Sequence, residues 1–165
     1  MLTLPQRLNA FVPPNIIKKS LHLLLKADQY MPLTIKKPVI LPLLQKILKA
    51  AIEDGDMDFL NSKIIKIFIT DTGTKIYLSF NNRHLELHKP ISADVCISGK
   101  MEEFIYLAAR HEDPDTLFFQ RRLMIEGDTE LGLELKNIMD AIDYDTLPAP
   151  FQKGIQLLAD NISRK

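Results

Sequence analysis

The stretch IIKIFITDTGTKIYLSFNNRHLELH, residues 64 to 88, decides the fold. Ile65, Ile67 and Ile69 alternate with their neighbours. Ile76, Leu78 and Phe80 alternate with Lys75, Tyr77 and Ser79, and Leu85 and Leu87 with His84, Glu86 and His88. Successive side chains of an extended strand point to opposite faces, so a period of two marks strands with one face buried and one wet. DTGT at 71 to 74 and NN at 81 to 82 are turn residues, which makes these strands consecutive hairpins.

Outward from this core, further strands are expected around Val95 to Ser98 and Leu123 to Glu126. Helical spacing separates and follows them. Lys100 to Arg110 places Met101, Phe104, Ile105 and Ala108 on one side. Thr129 to Ile142, capped by Asp128, does the same with Leu131, Leu135, Ile138, Met139 and Ile142. Phe151 to Ser163 carries Phe151, Ile155, Leu158 and Ile162 beyond a Leu147-Pro148-Ala149-Pro150 linker. The pattern predicts an α+β domain, with an antiparallel or mixed sheet of about five strands covered on one face by helices.

On the N-terminal side, Pro32, Pro38 and Pro42 punctuate a linker, and a helix is expected from about Pro42 to Glu53, ended by Asp54-Gly55. Before it, IIKKSLHLLLK at 16 to 26 separates Lys18, Lys19, His22 and Lys26 from Ile16, Ile17, Leu21, Leu23, Leu24 and Leu25 on a helical wheel. Such a basic amphipathic helix either lies in a membrane interface, with Lys18, Lys19, Leu21, Leu24, Leu25 and Lys26 in contact, or packs on the domain with a solvated lysine face.

Composition narrows the function. Among 165 residues, 46% are hydrophobic and 25% charged, and no apolar run reaches the length of a spanning helix. The zero net charge hides a segregation: residues 1 to 50 carry +7 and the remainder −7. A basic third suits an anionic surface, and the acidic remainder argues against nucleic acid as a partner. The first fifteen residues have an arginine and two prolines where a secretory signal would be apolar, so the chain reads as cytoplasmic. The single cysteine, Cys96, excludes an internal disulfide and a multi-cysteine metal cluster.

Catalytic constellations are sparse. His84, Glu86 and His88 share one strand face, but two histidines four residues apart on a strand lie about 13 Å from each other, too far to share one metal. No cofactor motif, nucleophile elbow or Gly-rich phosphate loop is found. In the EDPD of 112 to 115, Asp113-Pro114 reads as a turn and Asp115 as the cap of a short helix TLFFQRR. A transferase built on Asp113, Asp115 and Arg121 would lack a poised nucleophile or base. Arg121 and Arg122 either anchor a phosphate or carboxylate head group or pair with acids such as Glu112 and Asp113. What remains is apolar surface: Phe104, Leu107, Phe118, Phe119, Leu123, Ile125, Leu131, Leu135, Ile138 and Met139 either fill a core or line a cavity.

RHEDPDTLFFQRRLMIEGDTELGLELKNIMDAI, from Arg110 to Ile142, resembles the UbiT-like (YhbT-like) accessory factors of ubiquinone biosynthesis, within the sterol carrier protein type 2 family. ADVCISGKMEEFIYLAA at 93 to 109 is similar to the preceding strand and helix of that family. The resemblance implies a sterol-carrier-like sheet and a non-catalytic lipid-binding role, with those ten apolar residues as the lipid contacts. It implies that the protein holds or presents prenylated precursors during oxygen-independent ubiquinone biosynthesis, beside UbiU and UbiV-like hydroxylation factors. The alternative is a protein-interaction scaffold for the quinone enzymes with a filled core. The division that follows is a basic helical extension over 1 to 50, the lipid-binding domain over 51 to 147 and an amphipathic C-terminal helix over 148 to 165, the whole being cytoplasmic and peripheral to the inner membrane.

Overall fold

The computed structural model describes residues 16, 19, 20, 22, 23, 26, 27, 30–142 and 149–163. Five strands, β1 (Ile64–Ile69), β2 (Thr74–Asn81), β3 (His84–His88), β4 (Val95–Gly99) and β5 (Leu123–Gly127), form one sheet in the order β3-β2-β1-β4-β5. β1 runs parallel to β4, while the other pairs are antiparallel. The sheet is therefore mixed. Between β2 and β3 lie only Asn82 and Arg83, with φ of 48° and 64°. Two successive positive φ values match the twist of a tight hairpin, which is why an asparagine opens this turn.

The face bearing Ile65, Leu78, Phe80, Leu85, Leu87, Val95 and Ile97 is the one the alternation predicts to be buried. Helices cover it. α1 (Leu33–Ile47) and α2 (Lys49–Asp54), with Leu48 at the joint between them, bring Leu41, Leu44, Leu48 and Ile52 against it. Leu131, Leu135 and Ile138 come from the long helix that follows β5. Each fully buried aliphatic or aromatic side chain contributes about 1.5–3 kcal/mol here. Further helices are α3 (Met101–Ala108), α4 (Pro114–Phe119), α5 (Thr129–Ala141) and α6 (Ala149–Ser163). α6 packs on α3, where Gln156 Nε2 donates to the Ala109 carbonyl over 2.8 Å and His111 lies 3.2 Å from Asp160.

Three features depart from the sequence reading. First, the stretch around Pro38 is helical, since α1 begins at Leu33 after Pro32 and carries Pro38 and Pro42 inside it. Both prolines are exposed and four residues apart, on one face. The carbonyls that lose an intrahelical partner, on Thr34 and Pro38, belong to exposed residues and can turn to water. Gly55 closes α2 in the left-handed conformation, φ 85°, as Asp54-Gly55 predicts. Second, the other face of β2 is not wet: Tyr77 and Ser79 are buried. Neighbouring side chains close over that face, where Ser79 Oγ meets His88 Nε2 at 2.7 Å and the Lys66 and Lys75 ammoniums lie over the Phe68 ring. Third, α4 is capped by Asp113 rather than Asp115. The Asp113 carboxylate accepts from the Thr116 N–H at 2.8 Å and its hydroxyl at 2.7 Å, with Pro114 at the first helical position. Asp115 instead pairs with Lys136 of α5. The cap expected for α5 is in place, with Asp128 accepting from Glu130 and Leu131 N–H at 3.1 Å each.

Candidate functional site

Nine of the ten apolar residues singled out from the sequence come together between β5, α3, α4 and α5. Leu131, Leu135 and Ile138 belong to the main core, with Ile125 packed against it. Leu107 and Leu123 join Leu117 in a second cluster, and Phe104, Phe118 and Met139 touch both. The tenth, Phe119, is separated from them: it is 87% exposed on the outside of α4. Leu117, fully buried, is the member the sequence reading missed. Its clue was the cap: starting α4 at Pro114 places Leu117 one turn on, on the same inward side.

This apolar band opens to the surface at both ends. On one side Phe118, Leu123 and Ile125 line a groove of about 500 Å³ together with Gly132 and Leu133. Gly132 is what lets α5 approach β5 here, because a Cβ at that position would fall 2.4 Å from Ile125 Cγ2. On the other side Leu107 and Met139 line a pocket of about 200 Å³ whose rim is Arg110, Glu112, Asp113 and Asp140. Met124 and Leu133, 44% and 56% exposed, extend the apolar surface outward from the groove.

The two adjacent arginines divide their roles. Arg122 reaches Glu103 at 2.6 Å and also pairs with Glu112, and its guanidinium lies 5.5 Å from the Tyr106 ring centroid. The hydrogen bonds it donates to Glu112 and then to Glu103 raise its pKa further, against the opposing effect of burial. The pair anticipated with Glu112 is present, while Asp113 is occupied as a cap. Arg121 is exposed, has a φ of 56°, and has no side-chain partner among the described residues. It stands on the rim of the 500 Å³ groove.

The polar residues weighed for chemistry are engaged locally. His84 Nδ1 lies 2.9 Å from the Asn82 carbonyl and His88 meets Ser79, while no cluster of three metal-ligating side chains occurs among the described residues. Cys96 is half-buried between Lys66 and Glu126, and burial pushes its thiol up, away from the thiolate a nucleophile needs. At the N-terminus, Lys19 and Lys26 are exposed on helical backbone, and His22 faces Asp71 at 3.7 Å. Lys18, Leu21, Leu24 and Leu25 lie outside the described residues. No helix among the described residues is long and apolar enough to cross a membrane.

A five-stranded mixed sheet with helices packed over an apolar band defines an α+β domain of one sheet and one helical layer. The SCP-2 sterol transfer family matches residues 43–140. The ubiquinone biosynthesis accessory factor UbiT of Escherichia coli (strain K12) is 40% identical over 129 residues, 78% of this chain and 74% of that protein. Among solved structures, the UbiJ-SCP2 ubiquinone synthesis protein superposes with a TM-score of 0.54 at 18% identity, covering 72% of this chain and 99% of that one. The chain belongs to the SCP-2 sterol transfer family and is a homologue of UbiT.

Proposed function

We propose that this protein is a lipid-binding accessory factor of ubiquinone biosynthesis, which holds or presents prenylated precursors in the oxygen-independent route and performs no chemistry on them. The observation that carries the reading is the apolar band running from Leu107 and Met139 to the groove at Phe118, Leu123 and Ile125, in a homologue of UbiT. At about 0.8 kcal/mol per methylene-sized group, a polyprenyl tail of tens of carbons is very unfavourable in water. Enzymes that modify the ring outside the bilayer therefore need a partner that buries the tail. UbiU and UbiV-like hydroxylation factors are the partners this role calls for, and the exposed Lys19 and Lys26 suit peripheral contact with an anionic inner membrane from the cytoplasmic side. Phe119 would meet lipid from outside the band.

One observation favours the alternative of a protein-interaction scaffold with a filled core: Leu131, Leu135 and Ile138 are only 5–8% exposed. Native mass spectrometry of freshly purified protein separates the two readings. The carrier should arrive with a prenylated lipid or take up added prenylphenol. Preparations that are repeatedly empty and refuse prenylphenol would leave the scaffold.

A further inference from the structure

The face of the sheet turned away from the helices ends in a small polar pocket at the junction of β1, β4 and β5. Val95 and Ile97 of β4 face the helices, so Ser98, next in the alternation, faces the other way, with Phe68 and Met124 in register beside it. Thr70 follows β1 and Lys100 follows β4, while Arg121 and Arg122 precede β5. These residues and Glu103 line a pocket of about 270 Å³. Ser98 is its informative member. It is 6% exposed, and its hydroxyl has no hydrogen-bond partner among the described residues. A polar side chain this buried is ordinarily bonded, so a free hydroxyl on the wall of a pocket marks a place where a ligand supplies the missing partner.

Charge narrows the ligand. Lys100 and Arg121 are exposed and, like the Thr70 hydroxyl, have no side-chain partner among the described residues. Arg122 is already held by Glu103 within the pocket and by Glu112 outside its lining. Asp71 accepts the Met101 N–H at 3.0 Å, so the first donor of α3 is taken and the helix end contributes nothing to the case. The lining side chains, three cations against Glu103, carry a net charge of +2. Two free cations and two free hydroxyls complement an oxyanion with two negative charges. Size then selects among such anions. The volume is that of about nine waters at about 30 Å³ each, more than a five-atom phosphate fills and enough for about eight to ten heavy atoms. We propose that this pocket binds a small water-soluble dicarboxylate of about four or five carbons, with one carboxylate on Lys100, the other on Arg121, and Ser98 and Thr70 donating to their oxygens. The pocket shares Arg121 and Met124 with the rim of the groove at Gly132 but lies across the sheet from the apolar band, so the assignment stands whether or not that band carries a lipid.

Calorimetric titration of the full chain at fixed ionic strength tests this with succinate, butyrate and inorganic phosphate. Succinate should bind at least about tenfold more tightly than either of the others, the margin that one further charge-assisted contact supplies. In backbone-amide NMR it should shift Thr70, Ser98, Gly99 and Lys100. Lys100→Gln and Arg121→Gln should each erase the preference for succinate over butyrate and leave the thermal melt in place, since neither side chain has a partner to lose. Ser98→Ala should weaken succinate binding without lowering the melt, because the hydroxyl bonds nothing in the folded chain. A lower melt with unchanged affinity would assign Ser98 to structure and remove it from the site. No binding of succinate, butyrate or phosphate binding as tightly as succinate, or succinate affinity untouched by both cation variants would each overturn the assignment.

Discussion

Arg122 sits across from Glu103 at 2.6 Å, and Glu103 is among the most buried charged residues of the domain, 5% exposed. The pair ties the start of β5 to α3. Removing the arginine leaves a buried carboxylate without its counter-charge, which is far more damaging than losing the pair as a whole. Arg122→Met should therefore lower stability by about 3 kcal/mol, and adding Glu103→Gln should recover most of it. Urea unfolding of the two single variants and the double variant measures this; a loss below about 1 kcal/mol for Arg122→Met would show the pair behaving as a surface contact.

Leu135 belongs to the main cluster and is 7% exposed. Leu135→Ala should cost about 2–5 kcal/mol if its surroundings are tightly packed. Lipid uptake is measured beside the melt. A small stability loss with increased prenylphenol uptake would instead place Leu135 on a cavity wall.

The Asp113 cap makes stability depend on acid. Hydrogen bonds from the Thr116 hydroxyl and backbone N–H hold its carboxyl below the ordinary aspartate range. A carboxyl whose folded value is depressed contributes fully above its unfolded value, near about pH 4, and that contribution is lost as pH falls through the folded value. Asp113→Ala should lower the melting temperature at neutral pH and narrow its difference from wild type toward pH 2. Melts of both proteins across that range give the answer, and a difference that widened in acid would contradict the cap's role.

The basic N-terminal third offers a test of membrane contact. Each lysine near an anionic bilayer contributes about 1 kcal/mol, so Lys18→Glu, Lys19→Glu and Lys26→Glu together should weaken vesicle binding by several kcal/mol. Salt should weaken it as well, because the screening length falls from about 10 Å at 0.1 M to about 3 Å at 1 M. Flotation with vesicles of rising anionic content is the measurement. Binding indifferent to lipid charge, salt and the triple change would sink the proposal, and a helix packed on the domain would instead destabilise when Leu21 and Leu24 are cut.

The strands were legible because alternation over Ile65 to Leu87 records a one-sided environment at every second residue, and short turn residues set where each strand stops. Helix α5 was legible for a similar reason, with Asp128 marking its start. The beginning of α1 was not, since Pro38 and Pro42 read as breakers, and only their common exposed face makes them tolerable. Phe118 and Phe119 are indistinguishable in type, and which one turns inward depends on the phase that Asp113 imposes on α4. Burial of Tyr77 and Ser79 was hidden as well, because the side chains that cover them come from other strands.

The parallel pairing of β1 with β4 has a consequence for how the chain is made. Ile65 meets Val95 thirty positions further along the chain, whereas β1, β2 and β3 need only short turns to find one another. Nearby partners associate sooner, so the three-stranded meander should acquire protection in pulsed hydrogen exchange before β4 and β5. During that interval IIKIFI presents an open, strongly apolar edge, the kind of template on which chains stick to each other. A fragment stopped at Asp94 would carry that edge permanently and should aggregate, while the full chain seals it with its own later residues.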